Sequence, residues 1–367
     1  MTPYRVALLG LGTVGRAVAE RLLADPDHLA DRAGGRRLEL VALAVRNPDR
    51  LDGLDLPAGT IVAADPASLV ANAGVDAVVE LIGGLEPAGR LVRAGLEAGK
   101  AVVTANKALL ADAGPELEAL ARRTESPLRF EAAVAGGTPV LSALAEDLAG
   151  MHVERIRGVV NGTTNWILDV MEHEGMSAAE ALAAAQSAGY TEADPTLDTE
   201  GHDAAQKLVI LGRLAFGQWI RPETVDRVAS EPPGHGGAGI SRVSAEEVRW
   251  AAAHGQRVRL VAEILLAAGG SEARVTPRFL PHDDPLAGAK GIMNVIEIEG
   301  PPHGRVVIGG PGAGGPATAA AVLSDLIRLA RGAGSTWAGL PPAVGYPGAP
   351  PDRRGARPRK RRTITAP

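Results

Sequence analysis

The chain has 367 residues, a formal net charge of −5, 46% hydrophobic residues and 22% charged ones. That is enough for about two globular domains with buried cores that need no disulfide or metal staple. It has no cysteine, which excludes disulfides, thiolate-ligated zinc, iron–sulfur clusters and thiolate catalysis and fits a cytoplasmic protein, and its acidic balance with 3% aromatics gives no footing for nucleic-acid binding by the folded body.

Residues 4–10, YRVALLG, read as a buried strand that stops at a glycine loop. A strand and turn is not a signal peptide, and no apolar run approaches the ~20 residues a membrane span needs. The pattern predicts a helix over 16–24 and further buried strands at 38–45, 76–82, 101–105 and 128–134. Helical patterns fall between them, at 87–98 and 114–123. Strands alternating with helices predict βαβ units and a parallel sheet. After residue 135 the texture changes. Helical patterns cluster at 138–149, 164–174, 177–188 and 201–216, and strand candidates follow at 256–267, 271–280, 292–298 and 304–308. A last helix is expected over 314–331. The fold class expected is therefore α/β: a Rossmann-like nucleotide domain over 1–135, with 309–331 packing back on it, and a mixed α+β domain over 136–308. Residues 332–367 hold seven Pro and six Gly and carry a net charge of +6. They read as a disordered basic tail, with an arm for nucleic acid or an anionic surface as the sharper alternative.

Several motifs carry chemistry. Gly10, Leu11, Gly12, Thr13, Val14 and Gly15 form a GxGxxG run between a strand and a helix, the context a dinucleotide fingerprint requires. Gly10 permits the tight turn, Gly12 lets backbone approach a pyrophosphate, and Gly15 lets helix and strand pack. No acid closes the second strand, where NAD would need one. Arg46 there can pair with the 2′-phosphate of NADP, while Asp49 keeps NAD open. Lys107, one of five lysines, follows a strand in TANK, at the edge where ligands of open α/β sheets gather. EAAVAGGTP (131–139) can form an oxygen cage for a hard cation, or simply lead a strand into a helix cap at Thr138. NGTTN (161–165) can cap a helix through Asn161 or line a polar site. Five carboxylates crowd residues 192–203, and Asp203 and Lys207 share a helix face at i,i+4. A lysine among acids can protonate a carbonyl oxygen, and an acid such as Glu192 can hold a substrate ammonium. The glycine turn 309–315 can close over a cofactor or cap the sheet.

Taken together over about 1–331, GLGTVG, VVTANKALL, EAAVAGGTP, NGTTNWIL, GYTEADPTLDTEGHDAAQKL and GPGAGG resemble the homoserine dehydrogenase family, in that family's order. The resemblance implies NAD(P)H-dependent, reversible reduction of L-aspartate 4-semialdehyde to L-homoserine, on the route to threonine, methionine and isoleucine. It implies Lys207 as proton donor, Glu192 and Asp203 as substrate-binding acids, and Lys107 beside nicotinamide and substrate. Gly189, Gly312 and Gly314 resemble cofactor contacts. Glu131, Val134, Gly136 and Thr138 resemble a sodium site that uses largely carbonyl oxygens. A homodimer is implied as well. Many relatives continue into an ACT domain that senses threonine; the 332–367 tail is too short for one, so feedback through such a domain is not expected. Two other readings compete. Another Rossmann-fold amino-acid oxidoreductase leaves the NGTTN and GHDAAQK blocks unexplained. A non-catalytic NADP-binding sensor is at odds with the presence of both Lys107 and Lys207.

Overall fold

The structure is a computed structural model and describes residues 2–191, 194–267 and 270–343. In chain order the first half runs β1 (Tyr4–Leu9), α1 (Thr13–Ala24), α2 (Pro26–Arg32), β2 (Leu38–Ala44), β3 (Ile61–Ala63), α3 (Pro66–Val70), β4 (Ala77–Glu80), α4 (Ala88–Glu97), β5 (Ala101–Thr104), α5 (Lys107–Thr124) and β6 (Leu128–Arg129). The six strands form one parallel sheet in the order β3-β2-β1-β4-β5-β6. β4 and β5 are buried at every residue, as strands covered by helices on both faces must be. The strand order reverses between β1 and β4, the switch point at whose carboxyl ends open α/β sheets bind their ligands.

The second half contains α6 (Val140–Ser142), β7 (Arg155–Val159), α7 (Gly162–Glu174), α8 (Ala178–Ser187), α9 (Thr196–Thr199), α10 (His202–Phe216), α11 (Ala245–Ala253), β8 (Gln256–Ala267), β9 (Gly270–Pro281), β10 (Met293–Gly300) and β11 (Gly304–Pro311). Its sheet is antiparallel, ordered β11-β10-β7-β8-β9, with α10 and α7 against one face. α12 (Gly315–Ala330) then returns to the first half, where Ala319, Val322 and Leu326 join the core under α1.

Three expectations need correction. The strand expected over 128–134 ends at Arg129. Glu131 is drawn into a 3-10 turn because its carboxylate accepts from the N–H groups of Leu141 and Ser142 (2.9 and 2.8 Å) while its own N–H donates to Asp325. The helix expected over 138–149 is α-helical only at Val140–Ser142 and continues as a wider turn over Ala143–Asp147, in which Leu148 N–H bonds the Ala143 carbonyl. An apolar period does not distinguish the two windings. Finally, 332–343 is not a loose start to a tail. Thr336 N–H donates to Leu128 O and its hydroxyl accepts from Phe130 N–H, extending the edge at β6. Trp337, 1% exposed, packs between Phe130 and Trp219 with ring centroids 5.1 and 6.4 Å away. One tryptophan among glycines and prolines has no period to reveal it. The rest of the stretch, 344–367, lies outside the described residues. Trp337→Ala is expected to destabilise the protein by about 3–5 kcal/mol, seen as a lowered Tm in calorimetry. An unchanged Tm would return this segment to the status of a loose tail.

Candidate active site

Three loops bring the candidate residues together. β5 runs to Thr104, and Asn106 Oδ1 caps α5 by accepting from Leu109 N–H (3.1 Å), so Lys107 is the first helical residue. At the end of β7, Asn161 Oδ1 caps α7 by accepting from Thr164 N–H (2.8 Å). Gly201, in the left-handed region at φ 79°, turns the chain into α10, placing Asp203 in the first turn and Lys207 one turn on. Ala204, Ala205, Leu208 and Val209 bury the other side of α10 and fix its rotation.

The result is a carboxylate shared by two ammonium groups. Lys207 Nζ donates to Asp203 Oδ2 (2.7 Å) and to the Val160 carbonyl (2.6 Å). Lys107 Nζ reaches Asp203 Oδ1 at 3.2 Å. Asn161 Nδ2 donates to Asp203 Oδ2 (2.9 Å) and to Asp198 Oδ1 (2.7 Å), so Asn161 is cap and site residue at once. Thr191 Oγ1 donates to Asp198 Oδ2 (3.2 Å), and Asn294, wholly buried, donates through Nδ2 to the Val160 carbonyl (3.3 Å). Asp203 and Lys207 are buried, whereas the Lys107 side chain is 38% exposed. Burial alone would raise the Asp203 carboxyl, but the charges of Lys207 and Lys107 and the hydrogen bonds from Lys207 and Asn161 outweigh it and hold it well below the usual carboxylate range. Burial lowers Lys207 below the ordinary lysine value, the nearby Lys107 charge adds to this, and Asp203 opposes it. A buried lysine that surrenders its proton more readily than usual, next to an acid that stays ionised, suits proton exchange with an oxygen.

The fingerprint loop lies at the end of β1 in the same sheet. Gly10 has φ +99°, and a Cβ there would stand 2.9 Å from the Leu81 carbonyl; a Cβ on Gly15 would collide with the Gly10 carbonyl. Gly12 has open space above it and caps α1 with no side chain, leaving the N–H groups of Thr13, Val14 and Gly15 at an uncapped helix start. α12 begins beside it. Gly314 (φ +112°) is its uncapped N-terminal residue, and a Cβ on Gly315 would be 3.0 Å from the Thr13 carbonyl. Two helix N-termini without side-chain caps therefore converge, a setting built for an anion such as a pyrophosphate. Leu11 is buried beneath the loop.

The structure describes no cysteine, histidine or carboxylate group of three or more that could hold a metal among the described residues. Among those residues, too, no helix is long and apolar enough to cross a membrane.

These features have close counterparts. Residues 10–131 match the family model "Homoserine dehydrogenase, NAD binding domain", and 139–327 match "Homoserine dehydrogenase". The chain is 40% identical to the homoserine dehydrogenase of Pseudomonas aeruginosa over 332 residues, covering 90% of this chain and 73% of the relative. Against that of Corynebacterium glutamicum it is 42% identical over 350 residues, covering 92% and 76%. The chain belongs to the homoserine dehydrogenase family. The crystal structure of a homoserine dehydrogenase from Thiobacillus denitrificans matches with a TM-score of 0.83 at 41% identity, over 90% of this chain and 73% of that one. A hyperthermophilic archaeal homoserine dehydrogenase in complex with NADPH matches with a TM-score of 0.73 at 29% identity, over 89% and 97%.

Of the residues singled out by the family's motifs, Lys107, Asp203 and Lys207 meet at one point, and Gly315, directly after the 312–314 turn, stands against Thr13 of the fingerprint, while Gly312 faces Asn294. Glu192 lies outside the described residues. Gly189, at φ +75°, terminates α8. The Glu131 carboxylate is turned to the start of α6, away from any role as a side-chain ligand in the 134–138 turn. In that turn Ala135 and Gly136 both have positive φ, at 56° and 55°, and a Cβ on Gly136 would lie 2.6 Å from the Gly312 carbonyl. Arg46 is exposed just beyond β2. Sequence reasoning passed over Arg50, whose Nη1 donates to Leu11 O (3.4 Å), and Arg16, which donates to the Arg50 and Asp52 carbonyls (both 2.9 Å). Their acceptors are main-chain oxygens, which residue spacing does not encode.

Replacing Asp203 by Asn removes the negative charge that holds the Lys207 proton, so Lys207 should deprotonate at lower pH. The pH at which an acylating reagent begins to label Lys207, read by peptide mass spectrometry, should therefore fall in Asp203→Asn. A rise would mean that Asp203 does not govern this lysine.

Proposed function

We infer that the chain reduces L-aspartate 4-semialdehyde to L-homoserine, reversibly, with a nicotinamide cofactor. The observation that carries the reading is the Lys107–Asp203–Lys207 cluster at the carboxyl ends of the strands, in a chain of this family. The converging, uncapped starts of α1 and α12 and the open space over Gly12 fit a dinucleotide. When bound, that cofactor supplies the hydride that the aldehyde carbon receives. The residues of the chain manage the charge that then develops. Negative charge grows on the aldehyde oxygen, and Lys207 donates its proton there. Its lowered proton affinity makes that donation easier, and in homoserine oxidation the neutral amine takes the proton back. Asp203 and the Val160 carbonyl hold Lys207 in one orientation. Lys107, partly open to solvent, adds positive charge beside the same oxygen and the substrate. Glu192 is assigned to the substrate ammonium on the family's motif.

The finer readings rest on the residues present. Arg46, with Arg50 held near the fingerprint loop, favours the 2′-phosphate of NADP over NAD. The main-chain oxygens of Glu131, Val134, Gly136 and Thr138 make an all-oxygen set suited to sodium or another monovalent cation, with the Glu131 side chain serving α6 instead. The working unit in this reading is a homodimer.

Lys207→Ala is expected to lower kcat by about 10²–10⁴-fold in an absorbance assay at 340 nm, with the NADPH dissociation constant nearly unchanged. Loss of binding in step with turnover would make Lys207 structural. Arg46→Ala should raise KM for NADPH about tenfold more than KM for NADH, the worth of a lost charge-assisted phosphate contact. Parallel rises for the two cofactors would remove Arg46 from the 2′-phosphate.

A further inference from the structure

Glu80 closes β4, and its side chain is fully buried. No lysine, arginine or histidine pairs with it among the described residues. A carboxylate taken out of water without a counter-ion must be answered by hydrogen-bond donors. Three answer it. Ile82 N–H and Gly83 N–H donate to Oε1 (2.8 and 2.9 Å), and the Thr104 hydroxyl donates to Oε2 (2.6 Å). The network continues in a closed path. Thr104 Oγ1 accepts from Asn106 N–H (3.0 Å), and Asn106 Nδ2 donates back to the Gly84 carbonyl (2.6 Å). The same Asn106 caps α5 through Oδ1. One carboxylate thus locks the loop after β4, residues 81–84, to the turn after β5, residues 104–107. The first loop also abuts the fingerprint: Leu81 N–H donates to Leu9 O (2.9 Å), and the Leu81 carbonyl closes against Gly10.

A buried acid at this position is not what a strand requires. Residues 77–79, Ala-Val-Val, show that an aliphatic side chain would continue β4 at no desolvation cost. The acid stands at the carboxyl end of β4, beside the switch point of the sheet. Lys107 lies one residue beyond Asn106 and is only partly buried, so side-chain packing does not set its place; its main chain does. We propose that Glu80, acting through Thr104 and Asn106, is a positioning residue for hydride transfer, fixing Lys107 against Asp203 and shaping the loop over which the nicotinamide end of the cofactor would lie. This rests on the reading of Lys107, Asp203 and Lys207 given above.

Thr104→Val removes the hydroxyl that joins the two loops and keeps its shape, while Thr104→Ser keeps the hydroxyl. For Thr104→Val, kcat should fall about tenfold or more while the NADPH dissociation constant, from fluorescence titration, stays within about threefold; Thr104→Ser should restore kcat to within about threefold of the parent. Wild-type kcat in Thr104→Val with only a lowered Tm, or a serine variant no better than the valine one, overturns the proposal. If Thr104→Val does not fold, Glu80→Asp takes its place: the acid is retained but falls short of Thr104, and the same loss of kcat is expected, with parental kcat overturning it. Lys207→Ala assayed in parallel separates the two readings. A fully active Lys207→Ala removes the site assignment itself, whereas an inactive one beside an undiminished Thr104→Val removes only the role of Glu80.

Discussion

The site depends on keeping one ionised carboxylate, Asp203, out of water. Its burial is offset only because two ammonium groups and an amide converge on it from three separate elements: Lys207 from its own helix, Lys107 from the start of α5, and Asn161 from the turn before α7. Removing Lys207, the buried partner, leaves a buried charge short of its counter-ion, which costs about 3–5 kcal/mol, whereas the more exposed Lys107 contributes less. The geometry that holds Lys207 in place is therefore the geometry that makes the buried acid tolerable.

That requirement passes down to the packing of α5 against α10. The two helices meet at a second buried acid, Glu118, which accepts from Arg213 Nε and Nη2 (2.7 and 2.6 Å), from Trp219 Nε1 (2.8 Å) and from Arg122 Nε (3.0 Å). Gly114 leaves room for the Trp219 ring, since any Cβ there would run into it. Arg213 also donates to the Pro341 carbonyl (2.8 Å) and Arg122 to the Leu340 carbonyl (2.9 Å). The segment after α12 is thus tied to the acid that aligns the two lysine-bearing helices. Its attachment is part of the foundation of the site, although its composition reads as a tail.

The degree to which the sequence was legible follows from what each feature encodes. The parallel sheet was readable because β1, β2, β4 and β5 are apolar on both faces and punctuated by glycine loops. The i,i+4 spacing placed Asp203 and Lys207 on one face, and the family's motifs added Lys107 from a hundred residues away. The short elements β3 and α3 and the half-polar β7 carry too little period to be placed from pattern alone. The turn at Glu131 was missed because its cause is tertiary: an acid that reads as one more strand residue is captured by the N–H groups of α6, ten residues on. Glu80 was hidden in the same way inside an apolar run, and so was Trp337 among glycines and prolines. Partners distant in sequence decide such positions, and a single chain does not display them.

A common device links these misses. With 3% aromatics, the chain builds its core mainly from Leu, Val, Ile and Ala, whose packing carries no directional bonds. At each joint that matters, a buried carboxylate supplies them. Glu80 joins the loops over β4 and β5, and Glu118 joins α5 to α10. Asp325 on α12 accepts from Arg129 Nε and Glu131 N–H (both 2.8 Å), joining the returning helix to the end of the parallel sheet. A shift of one residue at any joint would leave a buried acid without its donors, a penalty that apolar contacts alone do not impose. Directional bonds to buried acids thus act together with the apolar packing of α5 and α10 to set the angles between the elements that carry the lysines.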